Sequence, residues 1–191
     1  MYCVSVAGAL FCVYFLTNRD IIENMSTLAK AYDIASAAHE GQTDKIGVPY
    51  IYHVLVVSEI IQRMPSYSSL TDEDKINAII ASVLHDIVED THVTFHDLEA
   101  EGFHPTVVKA VELLTYDNKT SREEYYQGII THPIARLVKT GDLAHNNLHS
   151  RRVGLPVEQQ TRLEEKYRKA IEMIVMPEDY QSFVELISKT D

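Results

Sequence analysis

Cysteine is nearly absent from this chain. Of 191 residues only Cys3 and Cys12 are cysteines, and both lie in the first 16 positions. The remainder can hold neither a disulfide framework nor a thiolate metal site, a composition that suits a reducing cytoplasm. Glycine and proline are scarce too, at seven and six, which argues against a loop-rich or fibrous protein. No Gly-rich loop of the P-loop or dinucleotide type occurs. Positive charge is in deficit, with a formal net charge of -11. An acidic surface repels phosphate backbones, so sequence-independent nucleic-acid binding is disfavoured. A small anionic substrate remains compatible, provided a metal and a few local Lys or Arg supply positive charge.

Long hydrophobic runs are also lacking, with one partial exception. The opening MYCVSVAGALFCVYFL is mostly apolar but short of the roughly 20 residues a membrane span needs. No basic residue precedes it, so the n-region of a signal peptide is missing; the first is Arg19. Three readings stand: an extension from a start codon placed too early, with translation from Met25; a weak membrane anchor; or a helix packing on the domain or a partner. We expect residues 1–24 to be an extension and residues 25–191 to form one domain.

What is present is helical periodicity in a chain of ordinary globular composition, 46% hydrophobic and 24% charged. Ser26 reads as an N-cap for a helix reaching Gly41, and Pro49 opens a second helix with a stripe of Val54, Val57, Ile60 and Ile61. Thr71 with Asp74, Thr94 with Asp97 and Ser121 with Glu124 are capping boxes. The first precedes an apolar helix running through KINAIIASVLHDIVED, expected to be buried. Pro105 and Pro133 suit first turns, and two further helices follow, roughly Val157 to Val175 and Pro177 to Ser188. Period-two alternation is not evident. The fold class is therefore all-α, in one domain.

The strongest chemical signal is VLHDIVED, residues 83 to 90. His85 and Asp86 end a buried apolar helix, where charged groups are costly unless paired or bound to a metal. If the helix continues, His85 faces Glu89 and Asp86 faces Asp90. Three carboxylates this close repel unless a cation or a shared proton intervenes. His53, in the first turn of its helix, and Asp142, in the mostly apolar LVKTGDLAHN, complete a candidate set. Two imidazole nitrogens and two carboxylate oxygens leave positions for water. That mixture suits six-coordinate Mn²⁺ or Fe²⁺ better than a closed Zn²⁺ site.

The order AAHEGQ, GVPYIYHVLVV, VLHDIVEDT, LVKTGDLAHN resembles the HD hydrolase domain of RelA/SpoT-type alarmone enzymes and their small single-domain relatives. The likeness covers roughly residues 26 to 150. It implies a single HD-type helical bundle in which His53, His85, Asp86 and Asp142 bind one Mn²⁺. It implies further that Glu89 and Asp90 orient or activate the attacking water, that Asn146 contacts the nucleotide, and that Lys45 is the basic residue of the loop after the first helix. The implied reaction removes the 3′-pyrophosphate of ppGpp and pppGpp. A divalent ion acidifies a water until it is a competent nucleophile near neutral pH, and a neighbouring carboxylate can take the proton.

Two departures bear on specificity. The family carries Arg-Lys in the loop after the first helix, with the Arg against the guanine base; here the pair is Asp44-Lys45, and an acid cannot stack on a purine as a guanidinium can. The basic residue expected after the last ligand is replaced by Leu143. The remaining histidines read as bland: His92, His96, His104, His132 and His149 as surface residues, and His39 and His145 as ordinary residues, with stacking or capping the alternative for His39 and a substrate contact the alternative for His145. Arg151 and Arg152 either reach a phosphate or are solvated. Tyrosines and methionines read as packing groups. Besides an alarmone hydrolase, an HD phosphatase acting on another nucleotide or phosphorylated cofactor, and a silent alarmone-binding or antitoxin module, fit the pattern. The intact Glu89-Asp90 pair argues against silence. Oligomeric state has no signature in the sequence.

Overall fold

A computed structural model describes residues 2–6, 9–13 and 18–188. It begins with an antiparallel hairpin, β1 (Tyr2–Val6) and β2 (Ala9–Val13), and is otherwise helical. The hairpin escaped the periodicity reading because its strands are short apolar runs, which pattern alone cannot assign. Positions 1, 7–8 and 14–17 of the apolar opening lie outside the described residues. Helix α1 spans Asn18–Ala38, so Ser26 lies within a helix and does not cap one. The preceding residues contain neither Gly nor Pro, so nothing stops the helix from extending towards the N-terminus.

Helix α2 (Ile51–Ile61) buries the predicted stripe, with Val54, Val57 and Ile61 fully enclosed. A short α3 (Pro65–Ser68) follows, then α4 (Asp72–Leu84), whose Thr71 cap accepts the Asp74 amide. Helix α4 ends at Leu84, earlier than the sequence pattern suggested; His85 and Asp86 form a turn before the four-residue α5 (Ile87–Asp90). The capping boxes at Thr94 and Ser121 are both formed, starting α6 (Phe95–Ala100) and α8 (Arg122–Ile130), with α7 (Pro105–Leu114) between them. Helix α9 (Pro133–Asn147), a single 3₁₀ turn (His149–Arg151), α10 (Val157–Ile174) and α11 (Pro177–Ser188) complete the chain.

Three helices, α2, α4 and α9, pack on one another at the centre, and the others lie around them. Val57, Ala81, Leu84, Ala135 and Val138 are fully buried among these three. Helix α11 docks beside α9 and is held at its start by Asp179, whose buried carboxylate accepts the Ser66 amide at 2.9 Å and the Ser66 hydroxyl at 2.6 Å.

The close approach of α2 and α9 depends on Gly141. A Cβ there would sit 2.5 Å from Ile61 Cγ2 and 3.3 Å from the Val57 carbonyl oxygen. Gly→Ala inside a helix ordinarily gains about 1 kcal/mol, but overpacking a close helix contact costs about 1–3 kcal/mol. We expect Gly141→Ala to lower Tm in a thermal melt; an unchanged or raised Tm would show that the two helices can separate without cost.

Candidate metal centre

The central helices deliver four side chains to one point. His53 comes from the first turn of α2, His85 and Asp86 from the turn after α4, and Asp142 from the middle of α9. The histidines and Asp142 are buried and Asp86 is partly so. His53 Nε2 lies 3.3 Å from His85 Nε2, 3.5 Å from Asp86 Oδ2 and 3.4 Å from Asp142 Oδ1. His85 Nε2 lies 2.9 Å from Asp86 Oδ2. Donor atoms of His53, His85 and Asp142 all fall within 4.8 Å of one another. Ligands about 2.1 Å from a shared ion sit about 3 Å apart along an octahedral edge. One divalent ion therefore fits this donor set.

The hydrogen bonds behind the ligands aim them. His85 Nδ1 donates to the Ser82 carbonyl at 2.7 Å, which turns Nε2 towards the cluster as the atom that would bind an ion once its proton is displaced. His53 Nδ1 lies 2.7 Å from His145 Nδ1. If His53 Nε2 is to coordinate, its Nδ1 carries the proton and His145 accepts it. His145 suits that role, because burial and then the charges of His53 and Arg151 push its pKa down to about 3 and keep it neutral. His145, which the sequence marked only through its neighbour Asn146, stands behind His53. Tyr50, read as a packing residue, donates to Asp86 Oδ2 at 2.5 Å. Lys139 donates to Asp142 Oδ2 at 2.7 Å and Asn146 to Oδ1 at 2.5 Å. Leu143, where a basic residue was expected, is buried in the core, and the cation beside Asp142 comes from Lys139, one turn earlier.

The charge balance calls for a cation. Burial opposes ionisation of Asp86, but His85 and His53 outweigh it and hold the carboxyl well below its usual range. Asp142 is likewise lowered, against burial, chiefly by Lys139. Burial also disfavours a charged His85, yet the Asp86 carboxylate beside it pushes its pKa up to about 9. The two carboxylates thus retain a proton on His85, at the point where a divalent ion would supply the same positive charge.

Glu89 and Asp90 lie one turn on, at the surface of a cleft of ≈ 430 Å³ that also exposes Asp86 and Asp142. Glu89 Oε2 accepts the Tyr116 amide at 2.8 Å. Its pKa is raised by burial, and further by the Asp86 charge, in spite of that bond; Asp90 is raised by burial and by Asp86. Lys45 and Asn146 line the same cleft, as do Arg151, Arg152 and Lys166. A recess of ≈ 110 Å³ beside Glu89 adds Arg122 and Lys139. Lys166 and Arg122 were missed from sequence because each lies on a polar helix face with no motif around it. Asp44 faces its own loop: Oδ1 accepts the amides of Ile46 and Val48 at 3.0 and 2.9 Å, and Oδ2 pairs with Arg151 at 3.1 Å.

Comparisons with known proteins give the chain's family. A family model described as "HD domain" matches residues 31–139. The bifunctional (p)ppGpp synthase/hydrolase SpoT of Escherichia coli K12 is 32% identical over 65% of this chain, which spans only 18% of that protein's length. The guanosine-3′,5′-bis(diphosphate) 3′-pyrophosphohydrolase MESH1 of Danio rerio is 32% identical, over 63% of this chain and 67% of its own. The human MESH1 is 35% identical, over 62% and 66%. A solved structure reported as a metazoan ortholog of SpoT that hydrolyses ppGpp superposes with a TM-score of 0.64 at 23% identity, over 91% of this chain and 96% of its own, which supports the fold. No helix among the described residues is long and apolar enough to cross a membrane.

The partner behind His53 gives a test. Removing the group that orients a metal-ligating histidine typically costs 10–100-fold in metal affinity. His145→Ala should therefore weaken Mn²⁺ binding by about 10–100-fold in a calorimetric titration, with His145→Gln, which keeps an acceptor, recovering part of it. Equal affinity in wild type and His145→Ala would dissociate His145 from the ligand set.

Proposed function

The chain belongs to the HD-domain family, and from that premise we propose that it is a metal-dependent pyrophosphohydrolase of a ppGpp-like purine nucleotide, releasing pyrophosphate from the 3′ position. The observation that carries this reading is the convergence of His53, His85 and Asp142, with Asp86 against both imidazoles, beside a cation-lined cleft in an otherwise acidic chain. The names of the relatives supply the substrate class. His53, His85, Asp86 and Asp142 would hold the ion, with Mn²⁺ preferred for a mixed nitrogen and oxygen donor set that leaves positions open. When bound, the ion acidifies a water and neutralises charge on a phosphoryl oxygen.

The chain's own residues supply the rest. Glu89 is fixed through one oxygen by the Tyr116 amide, which leaves the other free to accept a proton. Its raised pKa suits proton transfer near neutral pH. Asp90 stands beside it and orients the water. As the water oxygen bonds to the phosphorus and its proton passes to Glu89, the bond from phosphorus to the 3′-oxygen breaks, and that oxygen leaves as the 3′-hydroxyl by taking up a proton from Glu89 or solvent. The products are pyrophosphate and the nucleoside 5′-diphosphate. Lys45, Arg152 and Lys166 on the cleft and Arg122 in the recess offset the charge of the substrate's phosphates. Asn146 holds the site-facing oxygen of Asp142 and reaches the nucleotide from the same face. The action fits a reducing cytoplasm.

Incubation of the Mn²⁺-loaded protein with ppGpp, ppApp, NADPH and nucleoside monophosphates, followed by product identification, tests the reading. Pyrophosphate and GDP from ppGpp are expected; orthophosphate alone, or no turnover, would overturn it. Asp86→Ala should abolish Mn²⁺ binding. Glu89→Gln should keep the Mn²⁺ affinity but lose about 10²–10⁴-fold in kcat, and an unchanged rate would remove Glu89 from the reaction.

A further inference from the structure

Asp44 and Arg151 form a built contact at the end of the cleft away from the small recess. Both line the cleft and neither lines the recess beside Glu89. The pair is sheltered, with side-chain exposures of 5% for Asp44 and 17% for Arg151. Asp44 uses one oxygen to hold the amides of Ile46 and Val48, in a loop closed by the bridge between Thr43 and Pro49. Its other oxygen is left for Arg151. The two loops also abut, since a Cβ on Gly154 would sit 3.8 Å from Ile46 Cγ2. One edge of the Arg151 guanidinium is thus engaged by a carboxylate, while the residue lines the cleft.

The cleft is largely polar, and Ile46, Leu155 and Leu163 supply its apolar part. A nucleotide whose phosphates sit at the metal end must direct its nucleoside along the cleft. These apolar side chains with a planar cation suit the face of a heteroaromatic ring, whereas free ammonium groups such as Lys45 and Lys166 suit phosphate. Arg151 also has part of its charge already balanced by Asp44, which makes it a poorer phosphate group than its neighbours.

The geometry points to Arg151 as the residue that contacts the purine ring of the substrate, with Asp44 as the positioning residue that presents it. This rests on the nucleotide reading above and names its specificity determinant. The acid at position 44 is then not a lost contact. It moves the guanidinium from the loop after α1 to the loop before α10.

The test separates ring from phosphate by measuring GDP and inorganic pyrophosphate binding to the Mn²⁺-loaded protein by calorimetry. Arg151→Lys keeps a cation within reach of Asp44 but loses the planar face. Asp44→Asn keeps an oxygen for the Ile46 and Val48 amides but loses the charge that holds Arg151. Both should weaken GDP binding by about tenfold and leave pyrophosphate binding within about twofold, with circular dichroism and Tm confirming the fold. GDP affinity equal to wild type in Arg151→Lys would overturn the inference, since a plain latch tolerates lysine. Parallel loss of GDP and pyrophosphate would overturn it too, by making Arg151 a phosphate ligand. If wild type binds pyrophosphate but neither GDP nor ADP, the inference falls while metal-dependent phosphate chemistry stands. GDP binding through Arg151 without ppGpp turnover would uphold the inference and remove the substrate reading.

Discussion

The site depends on how closely α2 and α9 can approach. His53 and Asp142 sit on these two helices, and their facing atoms are 3.4 Å apart. Gly141, next to Asp142 in the chain, makes that distance attainable, because any side chain there would strike Ile61 and the Val57 backbone. The same approach seats His145 against His53, one turn further along α9. Packing in the core and geometry at the metal centre are therefore one constraint. Helix α4 completes the triad of central helices and brings His85 and Asp86 to the same point at its C-terminal end.

Electrostatics then decides what the point can hold. Desolvating a carboxylate costs several kcal/mol unless its partners repay it. Asp142 has Lys139 and Asn146, and Asp86 has Tyr50 and the two imidazoles. The Asp86 carboxylate also pushes the His85 pKa up, against burial, so negative charge at this point favours a further positive group. The chain is acidic overall, yet Lys45, Arg151, Arg152 and Lys166 gather along one cleft. Net charge alone would have argued against any anionic ligand; the local arrangement reverses that argument.

Much of this was legible in the sequence because the relevant signals are local. The caps at Thr71, Thr94 and Ser121 and the first-turn prolines at 105 and 133 mark helix starts through bonds made within one turn. The candidate donors could be singled out because burial of charge is costly wherever it occurs, and the fold brings His53, His85 and Asp142 together. What was not legible is the set of contacts made across the fold. Tyr50 reaches Asp86, the Tyr116 amide reaches Glu89, and Asp44 reaches Arg151, and no spacing within a segment encodes such meetings. Ser26 failed for a different reason. A good capping residue marks a helix start only if the residues before it resist helix, and those between Asn18 and Met25 do not.

The break after Leu84 turns the chain at Asp86, which adopts φ -103° and ψ -1°. The Asp90 amide still bonds to the Asp86 carbonyl at 2.9 Å, so the two acids stand one turn apart, and the Asp86 charge raises both Glu89 and Asp90. Their side chains nevertheless meet different partners. Asp86 goes inward to Tyr50 and the histidines, and Glu89 goes outward to the Tyr116 amide. The separation divides the acids into two kinds. Asp86 stays ionised, as a ligand must, while Glu89 and Asp90 are raised towards the range in which a carboxylate can take and give a proton. Acids whose environments push their pKa values apart can serve two roles in one reaction. The imidazoles of His85 and His53 against Asp86, and burial together with the Asp86 charge at Glu89 and Asp90, create that difference; the turn at His85-Asp86 is what carries one acid inward to the imidazoles and leaves the other two at the cleft.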